Sequence, residues 1–179
     1  MDNRIKIKDR HFEIYIPSEK ILERVKFIAK EIAKEYADKN PFFIGILNGS
    51  FMFASDLLKE LDFECQVSFI KLSSYKGTQS TGEMSNLIGL KENIEGRHVI
   101  IIEDIIDTGL TISHLLRELK LKNVVSLKIA SLLLKKDALK IDVSPDFVGF
   151  AVPVKFLVGY GLDYDGYGRN FRHIYSEVL

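Results

Sequence analysis

Three carboxylates crowd together in this 179-residue chain. Glu103, Asp104 and Asp107 stand in VIIIEDIIDTGLT, Val99 to Thr111, directly after a continuous apolar run. One acid between a strand and a helix is ordinary, because an Asp there can cap the helix. A cap accounts for one acid and leaves two. The turn Asp107-Thr108-Gly109-Leu110-Thr111 leads into a helix pattern whose first N–H groups lack helical acceptors and lie at the positive end of the macrodipole. With two threonine hydroxyls beside them, these amides suit a phosphate monoester. Ionised carboxylates only accept hydrogen bonds, so Glu103 and Asp104 favour a vicinal diol and repel a further phosphate. The combination points to a sugar phosphate. It is neither a G-x-x-x-x-G-K-[ST] loop nor a G-x-G-x-x-G turn.

These residues need a scaffold. HVIIIEDI shows no alternation and many β-branched residues, as expected of a central parallel strand covered on both faces. In an open parallel sheet, ligands bind beyond the carboxyl ends of the strands, where strand order reverses. Gly109–Leu119 reads as the helix that follows. IPSEKILERVKFIAKEIAKEY has apolar residues at helical spacing, with Ser18 as the expected N-cap and Glu19 in the first turn. PFFIGIL, Asn48-Gly49-Ser50 and FMFASDLLKEL form strand, turn and helix, the start of a β-α-β unit. ECQVSFIKL alternates Cys65, Val67 and Phe69 against polar partners, as a half-exposed strand does. NVVSLKIASLLLK, DFVGFAVP and FLVGYGLDY are further strands. SSYKGTQSTGEMS, Ser73–Ser85, has no apolar period and is long enough to be a lid. The expected architecture is one α/β domain, residues 1–179, with a mostly parallel central sheet flanked by helices. Its core would span about 18–150, with a small hood from the termini at about 1–17 and 151–179.

Composition narrows the partners. Lys+Arg and Asp+Glu both number 25, so the formal net charge is zero, which argues against a surface built to hold nucleic acid. The single cysteine, Cys65, excludes an internal disulfide and fits a reducing compartment as a small buried hydrophobe. The N-terminal stretch has no apolar h-region and nothing approaches the ~20 apolar residues of a membrane span, so the expected location is cytoplasmic, without a membrane partner. His11, His98, His114 and His173 have no metal-ligand spacing.

IIIEDIIDTGLT resembles the signature of the type I phosphoribosyltransferases, enzymes that use phosphoribosyl pyrophosphate. LNGSFMFASDL, SSYKGTQSTGE, SLLLKK, PDFVGF and VKFLVGYGLDYDGYGR follow in the order of the hypoxanthine and hypoxanthine-guanine phosphoribosyltransferases, from about Ile44 onward. The resemblance implies that Glu103 and Asp104 hold the ribose hydroxyls and that Asp107 faces the purine imidazole nitrogen as general base. It places the 5-phosphate among Asp107, Thr108, Gly109, Leu110 and Thr111. Lys135 would donate to the exocyclic oxygen, selecting a 6-oxopurine over adenine. Phe156 would stack on the base and Leu157 offer backbone groups to its edge. Asp163, at the purine site, would bind Mg2+ together with Glu103 and Asp104. Pyrophosphate would lie against Arg169 and the loop Leu47-Asn48-Gly49-Ser50, whose Leu47–Asn48 peptide the family can hold cis. Ser74 and Tyr75 would close on it from the lid.

The implied reaction is Mg2+-dependent transfer of the phosphoribosyl group to hypoxanthine and guanine in purine salvage. The family assembles as homodimers and homotetramers. Two departures stand out: Asn48 replaces a common Lys or Arg, whose charge Lys71 could supply, and Gly168 replaces a common aromatic. The alternatives are a xanthine- or guanine-preferring enzyme and an RNA-binding regulator on the same fold. A sugar-phosphate binder without catalysis would leave the lid and Arg169 idle.

Overall fold

Successive side chains of a strand point to opposite faces of its sheet, so each strand of a covered sheet packs against helices on both sides. The computed structural model describes residues 3–72, 87–88 and 90–178. The expected lid, with Ser74 and Tyr75, lies outside those residues. β1 (Arg4–Ile7) and β2 (Arg10–Ile16) form an N-terminal hairpin, followed by α1 (Ser18–Tyr36), β3 (Phe42–Leu47) and α2 (Phe51–Lys59). Next come β4 (Gln66–Leu72), β5 (Leu87–Ile88), β6 (His98–Ile106) and α3 (Leu110–Lys120). β7 (Ser126–Leu134), β8 (Phe147–Ala151), β9 (Leu157–Val158) and β10 (Ile174–Val178) complete the described elements.

The larger sheet has the order β5-β4-β3-β6-β7-β8, with only the β4–β5 pairing antiparallel. Phe43, Ile100 and Ile102 point to one face, where they pack with Ile21, Ile28 and Ile32 of α1 and Phe53 and Leu57 of α2. Ile44, Ile46 and Ile101 point to the other, against Ile112, Leu115 and Leu119 of α3. Both faces of β3 and β6 are therefore dry, which is why their sequences run apolar without a break. The chain leaves β3 for β4 on one side and returns to β6 on the other. Order thus reverses between β3 and β6, and the carboxyl ends of these two strands, Leu47 and Ile106, flank the crevice.

The second sheet, β1-β2-β10-β9, is antiparallel and joins the two chain ends. It has a small core of its own, Ile7, Phe12, Val158 and Tyr175. The expected fold class, a mostly parallel sheet with helices and a hood from the termini, is borne out.

Three local expectations change. Helix α1 starts at Ser18, but Ser18 is not its cap: Pro17 holds that place without a side-chain bond. The Ser18 N–H instead donates to His173 Nδ1 at 2.8 Å, so a histidine without expected role caps the helix from the hood. In β4 the alternation is real, yet Val67 and Phe69 are on the exposed side while Ile70 is buried. Helix α2 contacts β3 and β6 and leaves that margin of the sheet open, where the Phe69 ring lies over Gly45. Cys65 precedes β4 and is half-buried, and burial pushes its thiol up.

Candidate active site

Glu103 and Asp104 are the last-but-three and last-but-two residues of β6, inside the strand and not beyond it. Both are buried, at 9% and 8% exposure. The Asp104 carboxylate receives the Ile105 N–H at 2.9 Å and occupies the space a side chain on Gly49 would fill. Burial, and then the neighbouring Asp104, push the Glu103 carboxyl well above its ordinary value of 4.5. Glu103 therefore holds its proton in the folded chain more tightly than in the unfolded one. Such a group contributes stability at low pH that is lost as pH rises above the ordinary carboxylate range. Glu103→Gln should consequently leave the free protein more resistant to heat than its parent at pH 7, with the advantage vanishing near pH 4. A melting series across that range checks it, and a parallel pair of curves would sink the assignment.

Asp107, Thr108, Gly109 and Thr111, with Glu103 and Asp104, line one cavity of about 240 Å³ at the end of β6. Helix α3 opens on Gly109, held at φ +79, with no side-chain cap. A left-handed residue costs glycine nothing and lets the chain turn sharply from strand to helix. Thr108 Oγ1 accepts from the Leu110 N–H at a long 3.4 Å. The Leu110 side chain is exposed, and Leu110 is not among the residues that line this cavity.

Two ion pairs dress the site. Lys135, immediately after β7, donates from Nζ to Asp107 Oδ2 at 2.8 Å; its own side chain is 11% exposed and that of Asp107 49%. Arg169 reaches Asp163 Oδ1 from Nη2 at 2.6 Å and donates from Nη1 to the Gly161 carbonyl at 2.7 Å. Asp163 Oδ2 also accepts the Gly166 N–H. Backbone contact ties the halves together, since a side chain on Gly161 would run into the Gly49 carbonyl. Gly49 thus sits between Asp104 and the loop that carries Asp163 and Arg169.

The Leu47–Asn48 peptide is cis. Asn48 is exposed, and Lys71 pairs in register with Leu47, which brings an exposed ammonium-bearing residue beside the loop. At Gly168, φ is +97, a conformation that glycine adopts without strain, and a Cβ would lie 2.8 Å from Ile7 Cδ1, a side-chain tip of β1 that would have to shift.

Phe156 and Leu157 belong to the hood. Leu157 is buried, while Phe156 keeps 40% exposure. Its ring meets Phe12, Tyr164 and Arg10, all in the hood. Sequence reasoning passed over Arg10 and Tyr164, and also over Tyr160, whose hydroxyl donates to Asp56 Oδ2 of α2 at 2.6 Å. No local spacing marks them.

Among the described residues, no three His, Cys, Asp or Glu side chains cluster as a metal cage. Among them, too, no helix is long and apolar enough to cross a membrane.

The Phosphoribosyl transferase domain family matches residues 13–165, and the chain belongs to that family. It is 45% identical over 151 residues to the hypoxanthine-guanine-xanthine phosphoribosyltransferase of Tritrichomonas foetus, across 84% of this chain and 82% of that one. To the hypoxanthine-guanine phosphoribosyltransferase of Aquifex aeolicus it is 42% identical over 171 residues, across 94% and 96%. A solved hypoxanthine phosphoribosyltransferase from Staphylococcus aureus superposes with a TM-score of 0.85 at 38% identity, covering 93% of this chain and 91% of that one. The resemblance and enzyme class expected from the motifs are borne out.

Proposed function

We propose that the chain transfers the phosphoribosyl group of phosphoribosyl pyrophosphate to hypoxanthine and guanine, giving IMP and GMP and releasing pyrophosphate. The observation that carries this reading is the Lys135–Asp107 pair at the carboxyl ends of β6 and β7, beside the diol-favouring acids and the phosphate nest. One side chain can only donate and the other accepts, which suits the exocyclic oxygen and the imidazole nitrogen of one purine. The purine nitrogen attacks the anomeric carbon, and Asp107 takes the proton. The nest and the two strand acids hold the ribosyl 5-phosphate and hydroxyls, so the reacting centres meet in a fixed orientation.

Asp163, Glu103 and Asp104 present hard oxygen donors without forming a closed cage, which fits Mg2+, an ion that keeps waters and is completed by substrate phosphates. When bound there it would neutralise charge on departing pyrophosphate. Arg169 adds a forked cation to the same side, and Asn48 offers an exposed amide side chain beside Gly49, whose missing side chain leaves room for Asp104. Ser74 and Tyr75 would shield the site from water. The whole chain is read as one domain acting in this way.

An assay with Mg2+ and phosphoribosyl pyrophosphate against hypoxanthine, guanine, xanthine and adenine tests the reading. Turnover of the first two is expected; turnover of adenine alone would overturn it. Xanthine is the second reading, since the relative from Tritrichomonas foetus is named for all three 6-oxopurines. Lys135→Ala should raise the KM for the base about 10- to 100-fold, the value of one charged hydrogen bond, with kcat changed less. Unaltered base KM would remove Lys135 from recognition.

A further inference from the structure

Phe156 poses a mechanical problem. A ring that stacks on a purine must stay open on one face, so burial cannot lock its rotamer, and Phe156 is indeed 40% exposed. Its backbone is fixed by Glu177, whose N–H donates to the Phe156 carbonyl at 3.1 Å. The Glu177 carboxylate then receives Arg10 Nη1 at 3.1 and 3.2 Å. The Arg10 guanidinium in turn lies over the Phe156 ring, 5.4 Å from its centre, and over Tyr164 at 4.7 Å. Tyr164 meets the Phe156 ring edge-on at 5.8 Å. The hairpin turn before Arg10 grips the same segment, with Lys8 on Asp165 and the Tyr164 hydroxyl donating to Asp9. Backbone, carboxylate, guanidinium and ring form a closed circuit.

We propose that Arg10 is a positioning residue for purine binding, holding the Phe156 ring in its stacking orientation through the Phe156–Glu177–Arg10 circuit. This rests on the reading of Phe156 as the platform for the base. Arg10 and Glu177 both fall outside residues 13–165, the span that the family matches, so the device joins the two ends of the chain. A planar guanidinium suits it where an ammonium does not, because only the flat group stacks on an aromatic face while pairing with a carboxylate. The surface ion pair with Glu177 adds little by itself, and its effect is to aim the guanidinium.

The test compares the KM for hypoxanthine with that for phosphoribosyl pyrophosphate in Arg10→Gln, Arg10→Lys, Phe156→Leu and the double variant Arg10→Gln with Phe156→Leu. Arg10→Gln should raise the hypoxanthine KM about fivefold and leave the other KM within twofold. Arg10→Lys, which keeps the pair with Glu177, should keep the parent Tm and still show most of that rise. In the Phe156→Leu background, Arg10→Gln should add nothing. Equal rises in both KM values, an undiminished effect without Phe156, or parent-like behaviour of Arg10→Lys would each overturn the proposal. If Phe156→Leu alone leaves the hypoxanthine KM unchanged, the platform reading itself fails and the proposal falls with it.

Discussion

Asp107→Ala should lower kcat by about 10²- to 10³-fold while the KM for phosphoribosyl pyrophosphate stays within a few-fold, because a positioned proton acceptor contributes on that scale. The nest that would hold the 5-phosphate is made of backbone from Thr108 to Thr111, and an alanine at position 107 leaves it in place. Asp107→Asn sharpens the result, since it keeps an oxygen acceptor and the shape but cannot take a proton. It should fall with the alanine variant. Steady-state kinetics with hypoxanthine reads both, and parent-like kcat in either would take Asp107 out of the chemistry. The same change has an asymmetric effect on folding. Removing Asp107 strands Lys135, a nearly buried ammonium, without its partner, whereas removing Lys135 leaves a half-exposed carboxylate that water can serve. Asp107→Ala should therefore lower the Tm more than Lys135→Ala does.

How far the chain could be read in advance depended on sequence distance. The positions of the acids and of the turn into α3 were legible because Val99 to Thr111 compresses strand end, turn and helix start into one stretch, each obeying a local rule. The strand β6 declared itself by an unbroken apolar run, and the helix α3 by its period. What stayed hidden was made by contacts between remote residues. Arg10 and Glu177 are separated by 167 positions, and Ser18 and His173 by 155, so no window contains both partners. The exposed face of β4 illustrates a second kind of gap. Alternation in ECQVSFIKL was visible, but which side would be covered depended on where α2 lies, and it lies over β3 and β6. Asn48 and Gly168 read as departures from the family, and the left-handed backbone at Gly168 shows only in the folded chain.

Gly49→Ala should reduce kcat/KM for phosphoribosyl pyrophosphate by at least about 10²-fold, although it adds a single methyl group. That methyl would fall onto the Asp104 carboxylate, and the Gly49 carbonyl is in turn pressed by Gly161, so the loop cannot simply back away. Something in the site must move. Asp104 is buried in β6 and held by the Ile105 N–H, hence the shift is shared between Asp104 and the turn that carries Gly49. Displacement by about 1 Å of groups that orient a substrate can cost about 10²-fold in rate, and overpacking a closed site costs about 1–3 kcal/mol of stability besides. Gly161→Ala, pressing on the same carbonyl from the hood side, should reproduce the loss with an added backbone penalty at its φ of +99. The companion control is Gly96→Ala, at φ +69 with nothing near its Cβ, which should lose some stability and no activity. Kinetics for both substrates with a Tm for each variant separate the cases. If Gly49→Ala keeps parent-like use of phosphoribosyl pyrophosphate, the close contact of Gly49 with Asp104 is not what holds the two halves of the site in register.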